Sequence, residues 1–365
     1  MRSILFILIF VISSSPYKLY SQKLSFDKEN SKTRNKLEQF LKQNNVPGMA
    51  VTISHEGSII FSEGFGYADL INKTKVDPSK TKFRIASITK TITAATLGKL
   101  VELDSIDFDK TANFYLDSLP KKKYDFTIRQ LGGHVSGMIR DPSEEKFNSS
   151  YSRKDFYRVF SLDELEFEPS TKIQYSNYGY KLLGLIVEEK CEMSIVECQK
   201  KYVIDKLGIK NTLPDSGIYD SSTTKFHSIR NKQVAISPPA KCSFKYAEGC
   251  YLSTSEDLIT LGNSYLYSNR ILNRETLKQL IKSQHLKNGD KTNYGVGFFS
   301  STDYYGNYYY GHEGRYVGGL SLLYIYPKEE LVVSCLINLD LIDRDLKNFI
   351  QEILFRYIDK IHNVR

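Results

Sequence analysis

Five cysteines in 365 residues are too few, and odd in number, for a disulfide-stapled scaffold. Only six histidines occur, and neither an HExxH nor a CxxC spacing is present, so no metal site and no cofactor are expected. Beyond the first dozen residues no apolar run approaches bilayer length, so no membrane span is expected after the leader. The net charge of +8 is spread among acids, and Lys121 to Lys123 form the only basic run. That pattern is a solvated surface rather than a nucleic-acid footprint. Internal repeats, low-complexity tracts and an interdomain linker are also missing. Residues 23–365 therefore read as a single domain with ample chain to bury a core.

The chain opens MRSILFILIFVISSSPYKLYSQ, with Arg2 ahead of an unbroken apolar run from Ile4 to Ile12. Tyr20-Ser21-Gln22 suits a cleavage site, so residues 1–22 are expected to be a signal peptide and the protein to be exported. No cysteine follows the run, which argues against a lipid anchor. Cys191 and Cys198 are seven apart in a helical-looking segment, a rise of about 10 Å, too far for a bond in a continuous helix. Cys242 and Cys250 bracket a short segment and are one candidate pair. Cys335, inside LVVSCLIN, reads as a core residue.

Apolar spacing predicts a helix over 28–45, stopped by Pro47 and Gly48, then two strands around the turn His55-Glu56-Gly57. His55 is expected to be exposed there. A long apolar helix is predicted from Ser87 to about Asp104, and another over 255–267. Strands return at YGVGFF, NYYYGHEG, LSLLYIYP and ELVVSCLIN, and the chain ends in the amphipathic LKNFIQEILFRYIDKI. Strands early and late with helices between suit an α+β sandwich. The expectation is a mixed, mainly antiparallel sheet from about 23–85 and 290–365, flanked by terminal helices, with an all-helical region over 86–289.

Ser87 stands three residues before Lys90 at the head of the long helix, so hydroxyl and amine share a face. Serine attacks a carbonyl only once a base removes its proton. Unpaired N–H groups at a helix start favour the oxyanion that results. Alone, S-x-x-K reads as readily as an N-cap serine beside an exposed lysine. Two further stretches accompany it: Tyr175-Ser176-Asn177 before a helix, and His312-Glu313-Gly314 on a strand.

Ser87-x-x-Lys90, Tyr175-x-Asn177 and His312-x-Gly314, in that order, resemble the three motifs of the serine β-lactamase and penicillin-binding-protein superfamily. The nearest likeness is to its class C-like branch, with D-aminopeptidases, esterases and a mitochondrial serine β-lactamase-like group. VPGMAVTISHEG, TIRQLGGHVSGM, YAEGCYLSTSEDL and NYGVGFF agree with that branch, so the resemblance spans roughly residues 30–345. It implies Ser87 as the acylated nucleophile and Lys90 as a charge that lowers the phenol pKa of Tyr175. Tyr175 would be general base and then acid. Asn177 would bond the substrate amide and Lys90, and His312 would stand where many relatives carry lysine. The N–H groups of Ser87 and Arg315 would form the oxyanion hole. Gly314 would let the acyl group lie against the strand. His134, in GGHVSG, reads as structural.

The pattern departs at Glu313, where relatives usually place threonine or serine, and at Glu248, where they place a small residue. If both acids face the pocket, they disfavour a carboxylate and favour a cationic group on the substrate. The expectation is a serine hydrolase acting through an acyl-enzyme on an ester, amide or peptide bond of a small molecule or peptide. Alternatives are D-Ala-D-Ala carboxypeptidase or β-lactamase activity, a transferase, and, in another class, a catalytically weak protein kept for assembly or binding. A homo-oligomer stays open.

Overall fold

The computed structural model describes residues 24–142, 152–242, 244–267, 269–342 and 345–364. The leader-like segment 1–22 lies outside the described residues. Helix α1 (Asp27–Gln43) carries Asp27 and Glu29 in its first turn and Lys42 in its last, matching the helix dipole. Strands β1 (Gly48–His55) and β2 (Ser58–Asp69) form a hairpin across Glu56 and Gly57, both at positive φ (50° and 73°). Positive φ at both central positions is the turn whose twist matches its strands. The short β3 (Thr74–Lys75) pairs with β2.

From the other end of the chain come β9 (Phe299–Thr302), β10 (Tyr308–Tyr316), β11 (Gly319–Tyr326) and β12 (Leu331–Ile337). The seven strands form one antiparallel sheet in the order β3-β2-β1-β12-β11-β10-β9. Met49 pairs with Ile337 and His55 with Leu331, so the seam between β1 and β12 joins the two ends of the chain. All residues of these two strands are buried, because both faces of the sheet are covered. Met49, Val51, Ile53, Leu331, Val333 and Cys335 pack in one cluster with Leu37 and Phe40 of α1 and with the C-terminal helix α11 (Leu346–Val364). Ala50, Val332 and Leu336 enter the other cluster, under the helical region. Burial on both faces explains why β1 and β12 read as unbroken apolar runs rather than as alternation.

The helical region holds α2 (Thr89–Glu102), α3 (Ala112–Tyr115), α4 (Ile128–Gly132), α5 (Arg153–Leu162), α6 (Asn177–Cys191), α7 (Ile195–Gln199), α8 (Asp205–Leu207), α9 (Ser255–Leu266) and α10 (Arg274–Ile281). It is not all helical, which corrects the expectation over 86–289. The pairs β4 (Phe83–Arg84) with β8 (Tyr251–Ser253) and β5 (Leu213–Pro214) with β8 form a second sheet, and β6 (His227–Arg230) with β7 (Gln233–Ile236) a hairpin. Such strands of two to four residues are too short to show a period. YGVGFF also begins its strand late, at Phe299. Gly297 before it lies at φ 80°, where a Cβ would sit 2.8 Å from the Lys90 carbonyl oxygen.

Helix α2 is buried from Thr89 through Gly98, as its lack of a polar face requires. Three of its threonines are satisfied, Thr91 donating to Ile88 O, Thr93 to Ala247 O and Thr96 to Ile92 O, whereas the buried Thr89 hydroxyl has no partner among the described residues. Cys242 and Cys250 are joined, with Cα atoms 5.5 Å apart, and Cys191, Cys198 and Cys335 are free. The helix assumed to run through Cys191 and Cys198 is broken, since α6 ends at Glu192 (φ 55°) and α7 starts at Ile195. His55 is buried rather than exposed, its ring edge-on to Phe26 at 5.3 Å, because the N-terminal segment folds over the turn. Among the described residues, no helix is long and apolar enough to cross a membrane.

The stacking of Phe40 on Phe349 (centroids 4.1 Å apart) ties the first helix to the last. Phe349→Ala should destabilise the protein by about 3–5 kcal/mol, read as a lower urea midpoint.

Candidate active site

Ser87 sits in the 3₁₀ turn Ala86–Ile88 that feeds α2. The turn is held from both sides. Ile85 N–H donates to Tyr251 O of β8 (3.0 Å), and Ile85 O accepts from Ser321 Oγ of β11 (2.7 Å). Between them Ala86 takes φ 44°, a left-handed conformation that costs an L-residue about 1–2 kcal/mol. Gly314 of β10 packs directly on this turn. A Cβ there would lie 2.4 Å from Ile85 O and 2.3 Å from Ser321 Oγ. Glycine is thus required by the nucleophile turn itself, a different reason from room for an acyl group.

Lys90 is fully buried, and its Nζ reaches three oxygens: Glu248 O at 2.8 Å, Asn177 Oδ1 at 3.0 Å and Ser87 Oγ at 3.1 Å. Asn177 Nδ2 donates to Asp141 Oδ1 (3.0 Å), which fixes the amide with its oxygen towards Lys90. Burial pulls the ammonium pKa down to about 7, with the Glu248 and Asp141 charges opposing the fall. A neutral amine has two N–H bonds and one lone pair. The Glu248 and Asn177 oxygens can only accept, so they take both hydrogens, and the lone pair is left aimed at the Ser87 hydroxyl.

Tyr175 precedes α6, whose first turn is capped by Ser176 through Gly179 N–H (2.9 Å). Lys90 Nζ lies 4.9 Å from the Tyr175 ring centroid, and the Arg140 guanidinium 5.4 Å. The expected lowering of the phenol pKa is not what this environment produces. Burial raises it well above its ordinary value, while the side-chain hydrogen bond with Ser87 and the Arg140 charge only oppose the rise. Desolvation outweighs a cation that is itself half-neutral near pH 7.

His312 occupies the place of a lysine without its charge. Its Nδ1 bonds Glu313 O, an acceptor, so Nδ1 carries the proton and Nε2 accepts from Tyr294 hydroxyl at 2.7 Å. Burial, aided by Lys90, holds the imidazole pKa down at about 3, so the ring is neutral at pH 7. Glu313 faces the other side of β10, where its register partner Leu322 packs with the terminal helices, and it accepts the Tyr324 hydroxyl. Glu248 is buried and ion-paired to Lys181 at 3.2 Å, turning only its backbone carbonyl towards Lys90. The expectation of two acids facing the substrate is therefore corrected for Glu248, which does not present its carboxylate there. Glu313, though on the opposite face of β10 from His312, still lines the cavity that opens on Ser87.

A cavity of about 410 Å³ opens on these groups, lined by Ser87, Arg140, Tyr175, Phe299 and His312 and continuing past Glu313 and Arg315 to Lys347. Strand β9 pairs only with Tyr308 to Gly311, so β10 beyond that point is not covered by β9. Arg140, Asp141, Tyr294, Phe299 and Ser321 escaped sequence reading. The only signal for them was adjacency, to the GGHVSGM and NYGVGFF segments and to the strand after Gly314. No cluster of potential metal ligands occurs among the described residues.

An antiparallel sheet between terminal helices and a helical region, with a serine and lysine one turn apart at their junction, is the fold and site of the serine β-lactamase and penicillin-binding-protein superfamily. The chain belongs to the Beta-lactamase family, whose model matches residues 33–353. It is 25% identical over 382 residues to the human serine beta-lactamase-like protein LACTB, mitochondrial, covering 78% of this chain and 69% of that protein. D-amino acid amidase from Ochrobactrum anthropi SV3, complexed with D-phenylalanine, matches at TM-score 0.78 and 21% identity, covering 93% of this chain and all (100%) of that one. The octameric penicillin-binding protein homologue from Pyrococcus abyssi matches at TM-score 0.75 and 21% identity, over 91% and 78%.

Gly314→Ala should force the nucleophile turn off β10. The expected outcome is a loss of about 1–3 kcal/mol in stability, seen in Tm, together with slower covalent labelling of Ser87 by a fluorophosphonate.

Proposed function

We propose that the protein is a serine hydrolase that forms an acyl-enzyme on an ester, amide or peptide bond of a small substrate. Membership in the Beta-lactamase family supports hydrolysis in general. The single observation that carries the mechanism is the 3.1 Å approach of a lysine amine, titrating near 7, to the Ser87 hydroxyl. Neutral Lys90 takes the Ser87 proton as Oγ bonds to the substrate carbonyl carbon. The resulting ammonium is stabilised by Asn177 Oδ1 and Glu248 O, both already in contact. The carbonyl oxygen becomes an oxyanion at the N–H groups of Ser87 and Arg315. Tyr175, kept as a phenol, donates its proton to the leaving group as the bond breaks and recovers one from Lys90. Water, activated by the same pair, then hydrolyses the ester on Ser87.

Three features bear on the substrate. His312 is neutral and offers no cation to a carboxylate, but Arg140, Arg315 and Lys347 line the same cavity, so the β-lactam and D-Ala-D-Ala readings stand as alternatives. Glu313 lines the cavity and accepts the Tyr324 hydroxyl, which leaves its carboxylate further lone pairs for a cationic substrate group. Tyr175, Phe299 and His312 present rings to the acyl group, and the amidase neighbour acts in the same fold. We also propose export, on the strength of residues 1–22, and take the octameric homologue as reason to measure assembly by light scattering.

Intact mass after fluorophosphonate treatment tests the nucleophile. An adduct is expected on the wild type and none on Ser87→Ala; equal labelling of both, or of neither, would overturn the reading. The labelling rate should rise with pH through an apparent pKa of about 7, because Lys90 must lose its proton to act. Glu248→Gln removes a charge that favours the ammonium, so this limb should move to lower pH. Loss of the buried ion pair with Lys181 in that variant should cost about 3–5 kcal/mol, measured separately by Tm.

A further inference from the structure

We propose that His134 is a positioning residue for Tyr175, its imidazole accepting a hydrogen bond from the peptide next to the phenol. The proposal rests on the role given to Tyr175 above. His134 follows α4 and Gly133 and takes φ 61°. In this conformation its carbonyl and its ring both engage the segment that carries Tyr175. His134 O accepts from Gln174 N–H at 2.8 Å, and His134 Nδ1 accepts from Ser176 N–H at 3.1 Å. The two bonds flank Tyr175 on either side. The ring itself packs on the Tyr175 ring, centroids 4.2 Å apart, and on Tyr294 at 4.6 Å, which in turn bonds His312.

The chemistry of the bond sets the state of the ring. A backbone N–H only donates, so Nδ1 must be unprotonated, and the neutral ring then carries its hydrogen on Nε2. Burial and the nearby Lys90 charge both keep the ring neutral. Nε2 is buried and has no partner. A packing role alone does not explain this, since an apolar ring would fill the space without the cost of a stranded N–H. What only a histidine-like acceptor supplies is the bond to Ser176. Asn177, the next residue, orients Lys90, so a slack Ser176 would loosen phenol and amine together. A misplacement of about 1 Å can cost 100-fold in rate.

Two substitutions separate the ring from the backbone. His134→Gly keeps the left-handed φ and the carbonyl but removes the acceptor. His134→Asn also tolerates positive φ, and it returns an acceptor near the Nδ1 position. On p-nitrophenyl acetate, kcat should fall about 100-fold in His134→Gly with KM little changed, and His134→Asn should restore most of it. Hydrogen exchange at the Ser176 amide should quicken in the glycine variant and stay protected in the asparagine one. Equal kcat in the two variants, or unchanged Ser176 exchange in His134→Gly, would overturn the proposal. If His134→Gly does not fold, the asparagine variant decides: kcat and Ser176 protection that stay or fall together support the clamp, and either one lost without the other overturns it. The exchange measurement needs no catalysis. A wild type that resists the fluorophosphonate would defeat the functional reading while leaving the clamp to be judged at Ser176.

Discussion

The site depends on how one amine divides its bonds. Lys90 Nζ meets two oxygens that can only accept and one hydroxyl that can do either. Burial removes the water that would otherwise blur this division, and it also brings the amine to half-protonation near neutral pH. The two effects have one cause, the enclosure of the head of α2. Asp141 sets the Asn177 amide, the chain reversal at Glu248 aims a carbonyl, and Gly297 lets the neighbouring loop lie on the Lys90 backbone. Each is a device for the same geometry.

Much of this was legible from short local patterns. Ser87, Lys90, Tyr175, Asn177, His312 and Gly314 were found because their motifs are three residues apart or closer and occur in a fixed order. The main sheet was legible because its strands are long and buried on both faces. The short β4, β5 and β8 carry no period and owe their pairing to partners far along the chain. Strand alternation sets Glu313 on the opposite face of β10 from His312 and Gly314, yet it still lines the cavity, because β9 does not cover that part of β10. Glu248 had no such signal, since its contribution is a backbone oxygen. The sign of the Tyr175 shift needed three dimensions, because it turns on how completely the ring is enclosed.

Charge in the site is sorted by depth. Glu248 is paired with Lys181 and offers only its backbone oxygen, while Glu313 lines the cavity and accepts the Tyr324 hydroxyl. His312, which could have been a cation, is neutral. Next to Ser87 stand an amine that can change charge and a phenol that resists doing so, while farther along the cavity Arg140, Arg315, Lys347, Glu313, Asp340 and Asp345 supply charge of both signs. Proton transfer is thus confined to the buried end and charge recognition to the open end.

The seam between β1 and β12 sets an order of assembly. A ribosome releases β1 early and its partner only near the end of synthesis, so the hairpin of β1 and β2 waits with one hydrogen-bonding edge open. The turn holding Ser87 waits as well, since Ser321 and Gly314, which brace it, arrive late. Pairing over such chain separations is slow. A nascent or truncated chain lacking its last forty residues would therefore lack not only a strand but a closed sheet, and would meet other chains with its stickiest border unpaired.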